Sequence, residues 1–260
     1  MSNLPSFWVA SLARREDRRR AAELWMDQLP RVDFYDAIDG SSASETRLPQ
    51  SDVERMRAMW TKDKTVSQRN RRRKAACFKT HRDMLKAHAE DGEGAMVVVE
   101  DDMKPCEDLH TFNWLQLPAD GASYLAGRLD AARVKDMAEF KVKKEASRIV
   151  AAWRATEQRV QALPADRETG PYRISSSGAL YIPSPEVARD IVASFDALDR
   201  TNHVDMIYYR CPCVTHLVFP ALFVSDVGVG SITDIMASQT QLCGPEYNAL
   251  EAPQKVRLSE

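Results

Sequence analysis

Three consecutive carboxylates, Glu100, Asp101 and Asp102, follow the apolar run Ala95-Met96-Val97-Val98-Val99. Neighbouring carboxylates repel one another, and folding gains nothing by gathering them at the mouth of a hydrophobic segment. A divalent cation relieves that repulsion, and hard oxygen donors suit Mn²⁺ or Mg²⁺. The bland alternative is a solvated acidic turn. Other residues of suitable chemistry are scattered along the chain. Asp205 precedes the apolar stretch Met206-Ile207-Tyr208-Tyr209, with a helix-capping role as the alternative to chemistry. Asp39 stands in an Asp-Gly turn dipeptide, which is reason enough for an aspartate there. His81 lies in a helical pattern, where a lone histidine is more often a packed, hydrogen-bonded residue than a ligand. Arginines crowd two places, Arg14 to Arg20 and Gln68 to Lys74. Cys211-Pro212-Cys213 with His216 lacks the second pair that would complete a zinc site.

The elements that carry these residues read as an alternation of strands and helices. The run ending in Val99, with Gly92 and Gly94 before it, predicts a strand buried on both faces. The acidic trio then falls at its carboxyl end, where open α/β sheets bind ligands. Ser6 to Leu12 predicts a first strand, a polar turn through Arg20 follows, and a helix runs from Ala21 to Leu29, ended by Pro30. That opening suits a nucleotide-binding α/β fold. Its arginines suit phosphate at the turn, except Arg19 and Arg20, which read as a solvated helix face. Val32 to Gly40 predicts a second strand. Residues 41–73 read as polar loop with a helix near Asp52 to Trp60, and the basic segment 68–74 as a flexible loop or solvated turn. Ala75 to Ala89 has the spacing of an amphipathic helix.

Beyond the trio, Leu109 to Leu117 predicts a short helix and Ser123 to Gly127 a short strand. From about 129 to 163 the composition turns to Ala, Arg, Lys and Glu, predicting a long helix or helical hairpin as an insertion. Ile174 to Ile182 reads as a loop feeding a strand. Ser184 caps a helix begun by Pro185 and running to about Leu198. Val214 to Phe223, broken by Pro220, is strand material. One domain over 1–235 and a tail over 236–260 are expected.

With 260 residues, 44% hydrophobic and 28% charged, the chain is ordinary for a globular protein. A net charge of −2 argues against nucleic acid as a partner, and the basic segment has no aromatic neighbours for stacking. No apolar run approaches 18 residues, so no transmembrane segment is expected. No apolar stretch follows the N-terminal arginines as in a signal peptide. Five unpatterned cysteines predict reduced thiols and a cytoplasmic location.

The order of these pieces resembles glycosyltransferase family 25, which includes lipooligosaccharide and collagen galactosyltransferases and large-virus enzymes. Six segments carry the resemblance across roughly 220 residues: Ser11-Leu12 with Asp17-Arg18; Ala37-Ile38-Asp39-Gly40; Ala76-Cys77 with Thr80-His81; Val99-Glu100-Asp101-Asp102; Gly178 to Ala188; and Val204-Asp205. The third departs from the family's Gly-Cys and Ser-His, and the block 129–163 has no counterpart.

The resemblance implies a GT-A fold, a Rossmann-like α/β domain with a mixed sheet, and metal-dependent inverting transfer from a nucleoside-diphosphate sugar, expected to be a UDP-sugar, to a hydroxyl of a glycan or glycoconjugate. On it, Asp102 is expected to hold Mn²⁺ or Mg²⁺ in a DXD-like motif, and Glu100 and Asp101 to contact ribose or metal-bound water. The nucleoside is expected near Ser11, Leu12 and Arg18, with Asp39 reading base or ribose and His81 and Arg72 facing the phosphates. Asp205 is the candidate general base. The alternative is a sugar-nucleotide-binding or nucleotidyltransferase-like protein without glycosyl transfer. The nucleotidyltransferase reading lacks its glycine-rich phosphate loop between Ser11 and Arg20.

Overall fold

Met96 to Glu100 forms a strand whose successive side chains enter two different hydrophobic layers, and that alternation defines the architecture. The computed structural model describes residues 4–40, 68–126, 128–131, 148–149, 151–153, 155–156, 158–167, 172–175, 178–197, 204–225 and 240–241. In chain order the elements are β1 (Ser6–Ser11), α1 (Glu16–Met26), β2 (Val32–Asp36), α2 (Gln68–Asp91), β3 (Met96–Glu100), β4 (Met103–Pro105), β5 (Ala122–Tyr124), β6 (Arg128–Ala131), β7 (Val160–Ala162), β8 (Tyr172–Ser175), β9 (Ala179–Ile182), α3 (Pro185–Ala197), α4 (Val204–Arg210), β10 (Val214–Val218), β11 (Phe223–Ser225) and β12 (Thr240–Gln241).

Seven strands make the central sheet, in the order β2-β1-β3-β9-β5-β10-β7. Strands β1, β2, β3, β5 and β10 run one way, while β9 and β7 run against them. The protein is therefore a mixed α/β fold, compatible with a Rossmann-like arrangement. Met96 and Val98 point into the layer that includes Met84 and Leu85 of α2, Ile191 and Phe195 of α3, and Tyr208 of α4. Val97 and Val99 point into the opposite layer with Phe7, Val9, Trp114 and the buried face of α1 formed by Ala22, Trp25 and Met26. All four residues from Met96 to Val99 are at most 1% exposed, so β3 is buried on both faces as its composition predicts.

The connections follow from local chemistry. Glu16 and Asp17 place negative charge in the first turn of α1, where the helix dipole favours it. Gly94 adopts φ +66, a left-handed turn that feeds the chain into β3 and that a side chain would oppose. The Ser184 hydroxyl accepts from the Val187 amide at 3.4 Å, the N-cap expected for α3. On the outer face, α2 meets α3 through Arg82–Asp196 hydrogen bonds and the Phe78–Phe195 ring contact.

Several expectations are corrected. The basic segment 68–74 is helix rather than loop, because arginine, lysine and glutamine are good helix formers and α2 continues straight into its packed half. Helix α1 begins at Glu16, so Arg18 lies on a first turn rather than in a loop. Met103 to Pro105 pairs with β11 instead of ending regular structure, and Leu109 to Leu117 is mostly irregular, with a single 3₁₀ turn at Trp114–Gln116. The block 129–163 is not helical throughout. Its ends are strands, β6 pairing with β8 and β7 pairing with β10, with helical residues at 151–153 between. Sheet partners distant in sequence override the helical composition there. The helix expected near residues 52–60 lies outside the described residues. So does most of the expected tail, though Thr240–Gln241 pairs with β6. Among the described residues, no helix is long and apolar enough to cross a membrane.

Candidate functional site

The sheet order itself points to a location. From β1 the chain moves to β2 on one side, through α1, and then passes to β3 on the other side, through α2 packed on the opposite face. The carboxyl ends of β1 and β3 thus flank a topological switch point, the place where open α/β sheets bind ligands. Ser11 and Leu12 end one strand there. Glu100, Asp101 and Asp102 end the other.

Two of these residues lock the edge together. The Ser11 hydroxyl, 1% exposed, donates to Asp101 Oδ2 at 2.8 Å, and Arg18 Nη1 donates to Asp101 Oδ1 at 2.8 Å. The Asp101 amide donates to the Ala10 carbonyl at 3.2 Å. Asp101 therefore has both oxygens turned to the protein, and Ser11 and Arg18 brace the acidic turn from beneath. Ser11, expected near the nucleoside, and Asp101, expected at ribose or metal-bound water, are joined to each other in this strut.

Asp102 is held differently. Its carboxylate is mostly buried, and Oδ1 has no hydrogen-bond partner among the described residues, while Arg18 stands 3.8 Å from Oδ2. Burial, followed by the charge of Glu100, raises its pKa to about 7, against the lowering effect of Arg18; Asp101 adds a smaller push upward. A buried carboxylate oxygen without a donor is a position that a hard cation fits.

Around this centre stand Glu100 and two helices. Glu100 Oε1 lies 3.3 Å from His81 Nε2 on α2, and His81 Nδ1 lies 3.0 Å from the Tyr208 hydroxyl on α4. His81 is 1% exposed, and its two ring nitrogens face Glu100 and Tyr208. The Cys77 thiol, one helical turn before His81, has its pKa pushed up by burial and then by the charges of Glu100, Asp205 and Asp102. Asp205, in the first turn of α4, also raises the buried Tyr124 hydroxyl after burial itself, and adds the smallest push to Tyr208 after burial, Cys77, Glu100 and Cys211. Asp205 thus belongs to the same electrostatic neighbourhood as the acidic trio. Gly178 closes the far side: its carbonyl accepts from the Glu100 amide at 2.7 Å, and a Cβ there would meet Met103 Sδ at 2.5 Å.

The turn after β1 supplies positive charge. Leu12 accepts from the Arg15 amide at 2.8 Å, which folds the chain back into α1. Arg14 grips Asp39 through Nε at 2.5 Å and Nη2 at 3.3 Å, so Asp39 meets the expected region with its carboxylate engaged. Arg15 pairs with Asp17, which lowers Asp17 to about 2, and Arg15 also feels Asp101 and Asp102. Arg19 is not solvated as expected: it donates to the Ser11 carbonyl at 3.2 Å, pairs with Asp36 and covers the Phe34 ring. Arg20 does face outward, beside Glu16. Arg72 lies in the opening turns of α2, and its side chain falls outside the described residues.

The structure therefore gathers Ser11, Leu12, Arg18, Glu100, Asp101, Asp102, His81 and Asp205 around one end of the sheet. Cys77 and Tyr208 were not singled out for chemistry by the sequence. The i,i+4 spacing of Cys77 and His81, which puts both on one helix face, is the signal that could have found the first. The chain matches no protein-family model and no curated protein.

Proposed function

We propose that the protein is a metal-dependent inverting glycosyltransferase of GT-A type, moving a sugar from a nucleoside-diphosphate donor, a UDP-sugar by preference, to a hydroxyl of a glycan or glycoconjugate. The observation that carries the reading is Asp102: a buried carboxylate at the β1/β3 switch point, with two acidic neighbours in sequence. Among the described residues one of its oxygens has no donor, and Arg18 comes no nearer than 3.8 Å. The mixed sheet is compatible with it, and the six ordered segments that resemble glycosyltransferase family 25 support it.

In this reading Asp102 would hold Mn²⁺ or Mg²⁺, with Glu100 at the ribose or metal-bound water, and the donor diphosphate would lie over the turn from Leu12 to Arg15. A divalent cation there would offset the negative charge that gathers on the departing diphosphate. The Ser11–Asp101–Arg18 strut keeps the acidic turn from moving as that charge develops. Asp205 takes the proton from the acceptor hydroxyl on the face of the sugar opposite the leaving group. His81 holds Glu100 in place through Nε2 and is itself oriented by Tyr208.

A thermal-shift panel of nucleoside-diphosphate sugars with and without Mn²⁺ tests the reading. A donor at about a hundred times its dissociation constant stabilises by about 2.7 kcal/mol. One family of donors should raise the melting temperature only with Mn²⁺ present. Indifference to every sugar nucleotide would remove the proposal.

A further inference from the structure

We propose that Cys77, His81 and Glu100 form a second cation site, specific for a borderline-soft ion such as Zn²⁺, distinct in chemistry from the hard-oxygen site at Asp102. One ligand atom from each of the three lies within 4.8 Å of the others. They come from two elements: Cys77 and His81 sit one turn apart on α2, and Glu100 ends β3. With bonds of about 2.0–2.3 Å, tetrahedral zinc spaces its ligand atoms roughly 3.5 Å apart. His81 Nε2 and Glu100 Oε1 already stand at 3.3 Å, so a modest contraction of the thiol toward them completes the triangle.

Three features favour a cation over a simple hydrogen-bonded histidine. The donor set of sulfur, imidazole nitrogen and carboxylate is a zinc set and leaves a fourth position for water. His81 Nδ1 is 3.0 Å from the Tyr208 hydroxyl, the outer-shell partner that fixes a ligating imidazole with Nε2 toward the metal. Charge also balances: Zn²⁺ with a thiolate and a carboxylate is neutral, which suits a site where His81 is 1% exposed. Binding would release the thiol proton to solvent, leaving the sulfur lone pair to the metal. Glu100 is shared with the proposed donor site, so the inference rests in part on that reading: a resident ion here would fix the first carboxylate of the trio and leave Asp102 to the exchangeable cation.

Titration of the chelator-treated full-length chain with Co²⁺ tests this without any sugar nucleotide, so its failure leaves the Asp102 reading standing. One equivalent should bind with a near-ultraviolet thiolate-to-cobalt charge-transfer band, and Zn²⁺ should displace it. Cys77→Ser should lose the band. His81→Gln should weaken Zn²⁺ binding by at least about 100-fold, beyond the roughly 10–100-fold expected for Tyr208→Phe, which keeps the band. Asp102→Asn should keep both band and affinity. Circular dichroism checks that each variant folds, and the wild-type spectrum decides alone if one does not. Absence of a thiolate band in the wild type, its survival in Cys77→Ser, or Zn²⁺ affinity unchanged in His81→Gln would overturn the site.

Discussion

The guanidinium of Arg18 lies 3.8 Å from the carboxylate of Asp102, near enough to feel its charge and too far for a hydrogen bond. Arg18 gives its short contact, 2.8 Å, to Asp101 instead. One aspartate of the trio is thereby neutralised by the protein and its neighbour is left under-compensated. That asymmetry separates a strut from a candidate ligand, and it could not be read from three like charges in a row.

Asp102 should make the cation-free protein less stable as pH rises. Its pKa in the folded chain, about 7, is above the unfolded value, so the carboxyl's contribution is fully present below about pH 4 and is lost as pH climbs through 7. A tenfold change in proton affinity is worth about 1.4 kcal/mol, so the loss by about pH 8 is on the order of 2–4 kcal/mol. Asp102→Asn should remove this loss and stabilise the cation-free chain at the same alkaline pH. Urea denaturation of both proteins at about pH 5 and pH 8 checks it; equal pH slopes would contradict the burial argument.

Ser11→Ala should destabilise the chain although it deletes a single oxygen. Asp101 Oδ2 loses its buried donor, a change that costs about 1–3 kcal/mol. The urea midpoint should fall with little change in slope. Sugar-nucleotide affinity should fall as well, because the strut holds the turn that carries Asp102.

Asp205→Asn should cut turnover by at least about 100-fold while leaving the Mn²⁺-dependent thermal shift with donor intact, the pattern of a lost general base. Unchanged turnover would remove Asp205 from the mechanism and leave it as a residue of the first turn of α4.

His88 predicts a separate acid limb. Its ring packs at 6.5 Å against Trp8, and its buried Nε2 has no hydrogen-bond partner among the described residues. Burial lowers its pKa below the usual imidazole value. A depressed folded pKa means that its contribution is present above about pH 6.5 and is lost as pH falls below that value. His88→Leu should flatten the decline in stability between about pH 7 and pH 5, measured by urea midpoints. A decline of unchanged steepness would place the acid sensitivity elsewhere.

The central strands β1 and β3 and the position of the trio were legible in the sequence because they depend on short-range pattern. Val97 to Val99 alternate between two layers and need no partner to be recognised as a central strand. Residues whose role depends on distant partners were not legible. That the Ser11 hydroxyl bonds Asp101, 90 positions away, cannot be read from the chain alone. That Tyr208 and Glu100 stand on the two nitrogens of His81 is equally hidden. The strands at 128–131 and 160–162 hide in a helix-like composition because only β8 and β10 reveal them. Arg69 to Lys74 reads as a loop by charge, though the same side chains favour a helix.

The central claim is a cation at Asp102 that serves a sugar-nucleotide donor. The most direct measurement is release of nucleoside diphosphate from UDP-sugars by the wild type and by Asp102→Asn, each with Mn²⁺ and with chelator. The wild type should release diphosphate only with Mn²⁺, and the folded Asp102→Asn protein should release none above background. Release that persists in chelator, or equally in Asp102→Asn, would contradict that claim.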